Sequence, residues 1–370
     1  MILSRIDVWP YQPLTRDGPY AMSHVVQDRI FGRVLRLTTD NGLTGWGEIV
    51  HAPSVPAEGR QAMVDAEADL FAGFVGQPLW VLADYIGGAR SRDKPYRGVA
   101  FGLETAMLDL QAKAAGLPLY AVLGGRKAES VADYFSIAES TEDRLRHRMS
   151  VAGPDRSVIQ LKLGVGSLDD DRAKLRLVLS LMNAGQTLLA DANGGWTVDQ
   201  ALEMAAEFVD PRLWWEEPCA TYDDNIAVAK GTATPVMVDQ STASYDIAIR
   251  AIDDGIAAAI CIKPAFLGGL QVAREIRDLA AEKGMRMRID GPWCGDIATG
   301  AILHLALGAP PDLLICGCDL REPLALDPNL GGAVHIERDR IAPPIGAGVG
   351  LTIGDRLGAP EGTYAAPTVS

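Results

Sequence analysis

The sequence predicts an α/β protein, a (β/α)8-type TIM barrel preceded by a smaller α+β domain, on three observations. From residue 131 onward, short apolar, β-rich runs alternate with amphipathic helical stretches. There are eight such runs, at residues 131–138, 158–163, 187–193, 213–216, 236–239, 258–263, 286–290 and 313–318. Eight strand–helix units in a row close into a parallel barrel more readily than they form an open sheet. The first 125 residues lack this rhythm, and the chain of 370 residues, 48% hydrophobic, is long enough for both parts.

In chain order, residues 2–8 alternate like a strand, and residues 34–39 and 43–48 form a hairpin around Asp40-Asn41-Gly42. Residues 62–74 and 102–115 carry apolar side chains at helical spacing, and Gly116-Leu117-Pro118 stops the second helix. The first domain is placed at residues 1–125 and the barrel at 126–320. Within the barrel, residues 170–182, 198–208 and 269–283 have helical spacing; Leu270, Ala273, Ile276, Leu279 and Ala280 form the buried stripe of the last. Residues 321–370 are rich in Gly and Pro and are expected to return to the first domain.

Composition removes several classes of function. A net charge of −14 opposes binding to nucleic acid or an anionic membrane. No apolar run reaches the length of a membrane span, and residues 1–11 lack the pattern of a signal peptide. The five cysteines include no CxxC pair, which fits a reducing, cytoplasmic location.

The chemistry lies at the strand ends. Lys162, Asp191, Glu216, Asp239, Lys263 and Asp290 close successive runs at intervals of 23 to 29 residues, one strand–helix unit each. They therefore share the C-terminal rim, where barrels of this kind carry their active sites. A single charged residue leaving a strand is usually a solvated loop residue, but six in register beside apolar strand cores are not explained by solvation. Asp191, Glu216 and Asp239 would repel one another without a cation, and an all-oxygen donor set favours Mg²⁺ over zinc. Lys162 and Lys263 flank that cluster from opposite sides of the barrel. Two amines on either face of one carbon can remove a proton from one side and return it to the other, provided that burial and nearby positive charge make one of them neutral.

These residues fall in motifs: Gly42-Leu-Thr-Gly-Trp-Gly-Glu48, Leu123-Gly-Gly125, Gln160-Leu-Lys162, Asp191-Ala-Asn193, Glu216-Glu-Pro218, Val238-Asp-Gln240 and Ile262-Lys263-Pro. The ordered set resembles the mandelate racemase and muconate lactonizing enzyme group of the enolase superfamily over nearly the whole chain. The resemblance implies a modified barrel with an α+β capping domain built from both termini. It implies Mg²⁺ ligands at Asp191, Glu216 and Asp239, a base at Lys162, the second lysine of a KxK motif, and an opposing lysine at Lys263. Glu216 matches the ligand position better than Glu217; Asn193, Glu217 and Gln240 stand behind the ligands. Gln160 replaces the first lysine of KxK. A homo-oligomer, dimer or octamer, is also implied.

Within that group, Asp290-Gly-Pro-Trp293-Cys-Gly-Asp296, Asp17-Gly-Pro-Tyr20 and Gln160 resemble enzymes that epimerise proline betaine and hydroxyproline betaine. The resemblance puts Trp293 against a substrate ammonium, which an aromatic face attracts without hydrogen bonds. Candidate substrate neighbours are Trp293, Asp290, Gln160, His51, Tyr20, Asp319 and Cys294, with Asp290 or Asp319 available to a primary or secondary ammonium. Asp296 is expected to cap a helix. The expected activity is racemisation or 2-epimerisation of a small carboxylate, a proline-type amino acid or its betaine. The alternatives are a hydroxyproline dehydratase, a muconate-type cycloisomerase and, from another class, a non-catalytic carboxylate-binding barrel.

Overall fold

The computed structural model describes residues 1–16, 18–23, 25–51, 55–317, 324–325, 334–353 and 357–366. The first domain comprises β1 (Leu3–Tyr11), β2 (Tyr20–Met22), β3 (Val25–Gln27), β4 (Gly32–Thr39) and β5 (Thr44–Val50), followed by α1 (Ala57–Phe74), α2 (Leu79–Gly87), α3 (Lys94–Ala115) and the short α4 (Leu119–Val122). β4 and β5 pair antiparallel from Gly32↔Val50 to Thr38↔Thr44. Gly42 takes φ +80° in the turn between them, the left-handed conformation expected of glycine there. Sequence periodicity misses α2 and starts α3 eight residues late. Gly98 reads as a helix breaker ahead of the expected start, but it sits inside α3 because that helix lies directly on β5, where a Cβ on Gly98 would meet the Val50 carbonyl oxygen.

That contact needs glycine on both sides. A Cβ on Gly47 would run into the Gly102 carbonyl oxygen, and one on Gly45 would run into the Ala106 carbonyl. Gly47→Ala is therefore expected to cost about 3 kcal/mol by overpacking, read as a lower urea midpoint with an unchanged m-value.

The second domain runs β6 (Val131–Ala132), β7 (Tyr134–Ile137), α5 (Glu142–Ala152), β8 (Val158–Lys162), α6 (Leu168–Leu181), β9 (Thr187–Asp191), α7 (Val198–Glu207), β10 (Leu213–Glu216), α8 (Tyr222–Gly231), β11 (Val236–Val238), α9 (Tyr245–Asp254), β12 (Ala259–Ile262), α10 (Pro264–Leu267), α11 (Leu270–Glu282), β13 (Arg286–Ile289) and α12 (Asp296–Ala306). β7 to β13 form one curled parallel sheet in sequence order. Two expected strands differ. The first splits at Asp133, a buried carboxylate paired with Arg156 at 2.6 Å; its second half pairs with β8 in the parallel ladder, while its first half pairs with β15. The eighth is not a regular strand: Leu314 bridges Met287 in parallel, while the Gly317 N–H donates to the Ala132 carbonyl at 2.7 Å. Residues 313–317 thus close the barrel irregularly.

The remaining strands are β14 (His335–Glu337), β15 (Arg340–Ala342) and β16 (Gly362–Ala365). β14 and β15 form a hairpin whose second strand pairs with β6, and β16 pairs antiparallel with β1 of the first domain. Among the described residues, no helix is long and apolar enough to cross a membrane.

Two buried acids of the first domain cap barrel helices. Glu48, at the end of its glycine-rich motif, accepts from the Gly295 and Ala298 N–H groups at 2.6 and 3.1 Å. Glu48 therefore does the capping expected of Asp296, which is instead the first residue of α12. Glu104 on α3 likewise accepts from the Leu270 N–H at the start of α11. Burial outweighs these bonds and pushes both carboxyls up to about 7. Since each folded pKa lies above the ordinary value of roughly 4.3, the unfolded chain holds fewer protons across that window. Stability is expected to fall as pH rises from about 4.3 to 7, by on the order of 3 kcal/mol per carboxyl. Glu104→Gln should flatten this slope, measured by urea unfolding at both ends of the window.

Candidate active site

The sheet register assembles the charged cluster. Lys162 and Asp191 are Cα partners across β8 and β9, and Asp191 and Glu216 are partners across β9 and β10. Asp239 follows β11, and Lys263 follows β12. Lys162 Nζ donates to Asp191 Oδ2 at 2.5 Å, and Lys263 Nζ donates to Asp239 Oδ2 at 2.8 Å. With β9, β10 and β11 between their strands, the two lysines stand on opposite flanks of the three carboxylates. Asp191 and Glu216 are fully buried and Asp239 nearly so. Burial, then the neighbouring Glu216 carboxylate, raises Asp191 far above the usual carboxylate range. Burial also acts on Asp239, but Lys263 and Arg288 outweigh it and hold that carboxyl low. Burial is the largest influence on each lysine and favours the neutral amine. Asp191, Tyr20 and Glu216 together outweigh it at Lys162, and Asp239 with Cys261 and Asp290 outweighs it at Lys263, so both are raised.

Asn193 and Glu217 hydrogen-bond to Asp191 and to the backbone of Asp239. Asn193, at φ +48°, donates its backbone N–H to Asp191 Oδ1 at 2.8 Å and its side-chain amide to Oδ2 at 3.0 Å. Glu217 turns away from the cluster and accepts from the backbone N–H groups of Asp239 and Ser241 at 2.5 and 2.6 Å. Glu216 is the inward-facing member of the pair. Gln240 begins the turn after Asp239.

The expected substrate neighbours divide. Tyr20 from the first domain meets Trp293 edge-on, ring centroids 4.5 Å apart. Its hydroxyl lies 2.6 Å from Ser136 Oγ on β7, and it senses the charge of Lys162. Gln160 is engaged with the carboxylates: its amide donates to Asp191 and Glu216 at 3.1 and 2.9 Å. Asp290 is buried, with its oxygens on the Gly291 N–H, Arg288 and the Tyr134 hydroxyl, so it has no free edge for an ammonium. Cys294 is fully buried, its thiol near Thr299 and pushed far up by burial, which makes it a packing residue. His51 lies near Arg60 and Arg33, and burial lowers it to about 4. Asp319 and Cys318, like Asp17, are outside the described residues.

Comparisons with known proteins show the family. Residues 142–357 match the family described as enolase C-terminal domain-like, and residues 5–124 match the mandelate racemase / muconate lactonizing enzyme N-terminal domain. The chain belongs to the mandelate racemase and muconate lactonizing enzyme group of the enolase superfamily. It is 28% identical to cis-3-hydroxy-L-proline dehydratase of Roseibium aggregatum, over 98% of this chain and all of that protein. It is 25% identical to D-Ala-D/L-Ala epimerase of Cytophaga hutchinsonii, over 95% of each. A member of the enolase superfamily from Roseovarius nubinhibens, solved in complex with magnesium, superposes with a TM-score of 0.86 at 29% identity, over 98% of this chain and 99% of that one.

The donor set of this enolase-superfamily chain suits a hard divalent cation. Among the described residues, no group of three His, Cys, Asp or Glu side chains is already closed into a metal cage; lysine and arginine nitrogens lie on the carboxylate oxygens instead. Yet Asp239 Oδ1, Asn193 Oδ1 and Gln240 Oε1 are buried acceptors without a hydrogen-bond donor. Orphan oxygens beside a raised carboxyl are what an oxygen-coordinated ion would satisfy.

Sequence motifs do not single out three residues of the site. Arg288 on β13 donates to Glu216 Oε2 and Oε1 at 2.9 and 2.5 Å and is itself almost wholly buried. Tyr134 and Ser136 on β7 support Asp290 and Gln160. Arg288 had one available signal: it lies two residues before Asp290, and alternate residues of a strand share a face.

Proposed function

We propose that the chain catalyses proton transfer at the carbon α to a carboxylate, as a racemase or 2-epimerase of a proline-type amino acid or its betaine. The observation that carries this is the placement of Lys162 and Lys263 on opposite flanks of three buried carboxylates. One amine takes the α-proton from one face and the other returns a proton to the opposite face. Asp191, Glu216 and Asp239 would hold Mg²⁺, which when bound stabilises the negative charge that develops on the substrate carboxylate. With their charge committed there, Asp191 and Asp239 hold the lysine protons less strongly. Burial, the largest influence on both amines, then works toward the neutral base.

Trp293, with Tyr20 set edge-on against it, offers an aromatic wall to a substrate ammonium. Asp290 is buried and paired with Arg288 and the Gly291 N–H. An aromatic wall suits an ammonium with few N–H groups, as in a proline-type ring or a betaine.

A second reading is favoured by the full-length similarity to a cis-3-hydroxy-L-proline dehydratase. The same lysine removes the α-proton, and a β-hydroxyl leaves as water. Incubation of proline, hydroxyproline and their betaines in D₂O with Mg²⁺ separates the two. α-Deuterium in an inverted but intact skeleton supports the epimerase, and loss of water supports the dehydratase. No exchange in any of these substrates would overturn both.

A further inference from the structure

Beneath the carboxylates lies a buried polar floor. Glu216 accepts from both terminal nitrogens of Arg288 and from Gln160, three bonds from the barrel interior. The same guanidinium lies 3.8 Å from Asp239 Oδ2 and 3.3 Å from Asp290 Oδ2, with its Nε also 3.3 Å from Cys261 Sγ. Its plane sits over Tyr134, centroid distance 5.3 Å. Arg288 is 1% exposed. A guanidinium is charged at any working pH, and its fork matches a carboxylate with both terminal nitrogens.

We infer that Arg288 is a built-in counter-ion for the metal-binding carboxylates: it keeps the barrel stable without a divalent ion and sets how tightly that ion binds. The inference rests on the proposal that Asp191, Glu216 and Asp239 hold Mg²⁺. Four carboxylates, Asp191, Glu216, Asp239 and Asp290, face three cations, Lys162, Lys263 and Arg288, in one buried cluster. Without Arg288 the negative excess grows, and a buried charge that loses its partner is strongly destabilising. A divalent ion then restores the balance and meets one fewer like charge. Arg288 thus positions Glu216 and tempers metal affinity, with no contact to the reacting carbon required.

The test uses full-length wild type, Arg288→Met, Arg288→Gln and the charge-preserving Arg288→Lys. Melting midpoints are taken in a chelator and in MgCl₂, and Mg²⁺ binding is titrated calorimetrically. In the chelator, the midpoints of the Met and Gln variants should drop by about 10 °C. Their Mg²⁺-induced rise should be at least about twice that of the wild type, and their Mg²⁺ Kd about tenfold tighter. The Lys variant should bind Mg²⁺ within about threefold of the wild type. Should Met prove too damaging to fold, Gln, which keeps an amide donor for Glu216, decides alone. Equal lowering of both midpoints with an unchanged Kd, the signature of lost packing, overturns the inference and leaves the proposed metal site standing. A wild type that binds no Mg²⁺ overturns both.

Discussion

Alanine at Lys162 or at Lys263 is expected to lower turnover by about 10³-fold or more while the fold and Mg²⁺ binding persist. Each lysine is partly buried with its amine on a cluster carboxylate, and neither holds secondary structure together. The two losses should not be identical in character. If each amine serves one face, the Lys162 variant still exchanges the α-proton of the enantiomer whose hydrogen points to Lys263, and the reverse holds for the other variant. Exchange in D₂O without inversion, selective for opposite enantiomers in the two variants, is the expected signature. Unchanged turnover in both variants would sink the two-lysine mechanism.

Glu216→Ala should be the most destabilising change in the site. The carboxylate is fully buried, and its removal deprives Arg288 of its bidentate partner and Gln160 of an acceptor. Breaking a buried pair from one side costs roughly 3–5 kcal/mol, softened here because Asp239 and Asp290 remain close to the guanidinium. The expected result is a urea midpoint far below that of the wild type and loss of calorimetric Mg²⁺ binding. An unshifted midpoint would show that the floor contributes little, and retained Mg²⁺ binding would remove Glu216 from the ligand set.

Much of the architecture was legible in the chain itself. Apolar β-rich runs and helical patterns locate the barrel strands and several of its helices, because these strands are buried on both faces and the helices on one. The spacing from Lys162 to Asp290 follows for the same reason: one strand–helix unit returns the chain to the same rim. The elements that patterning lost are those in which tertiary contact overrides local preference. Gly98 stands in a helix because β5 packs against it, and residues 313–317 close the barrel without regular pairing.

By itself, then, the sequence determined the parallel barrel, its chemical rim and the two opposed amines, since register and residue type are properties of the chain. Only the tertiary structure decided what each polar side chain faces. It turned Gln160 and Asp290 inward to hold Glu216 and Arg288, brought Tyr20 from a distant strand against Trp293, and gave the caps of α11 and α12 to Glu104 and Glu48. The physical reason is that a buried polar atom must find a partner, and which partner lies within reach depends on elements far apart in the chain.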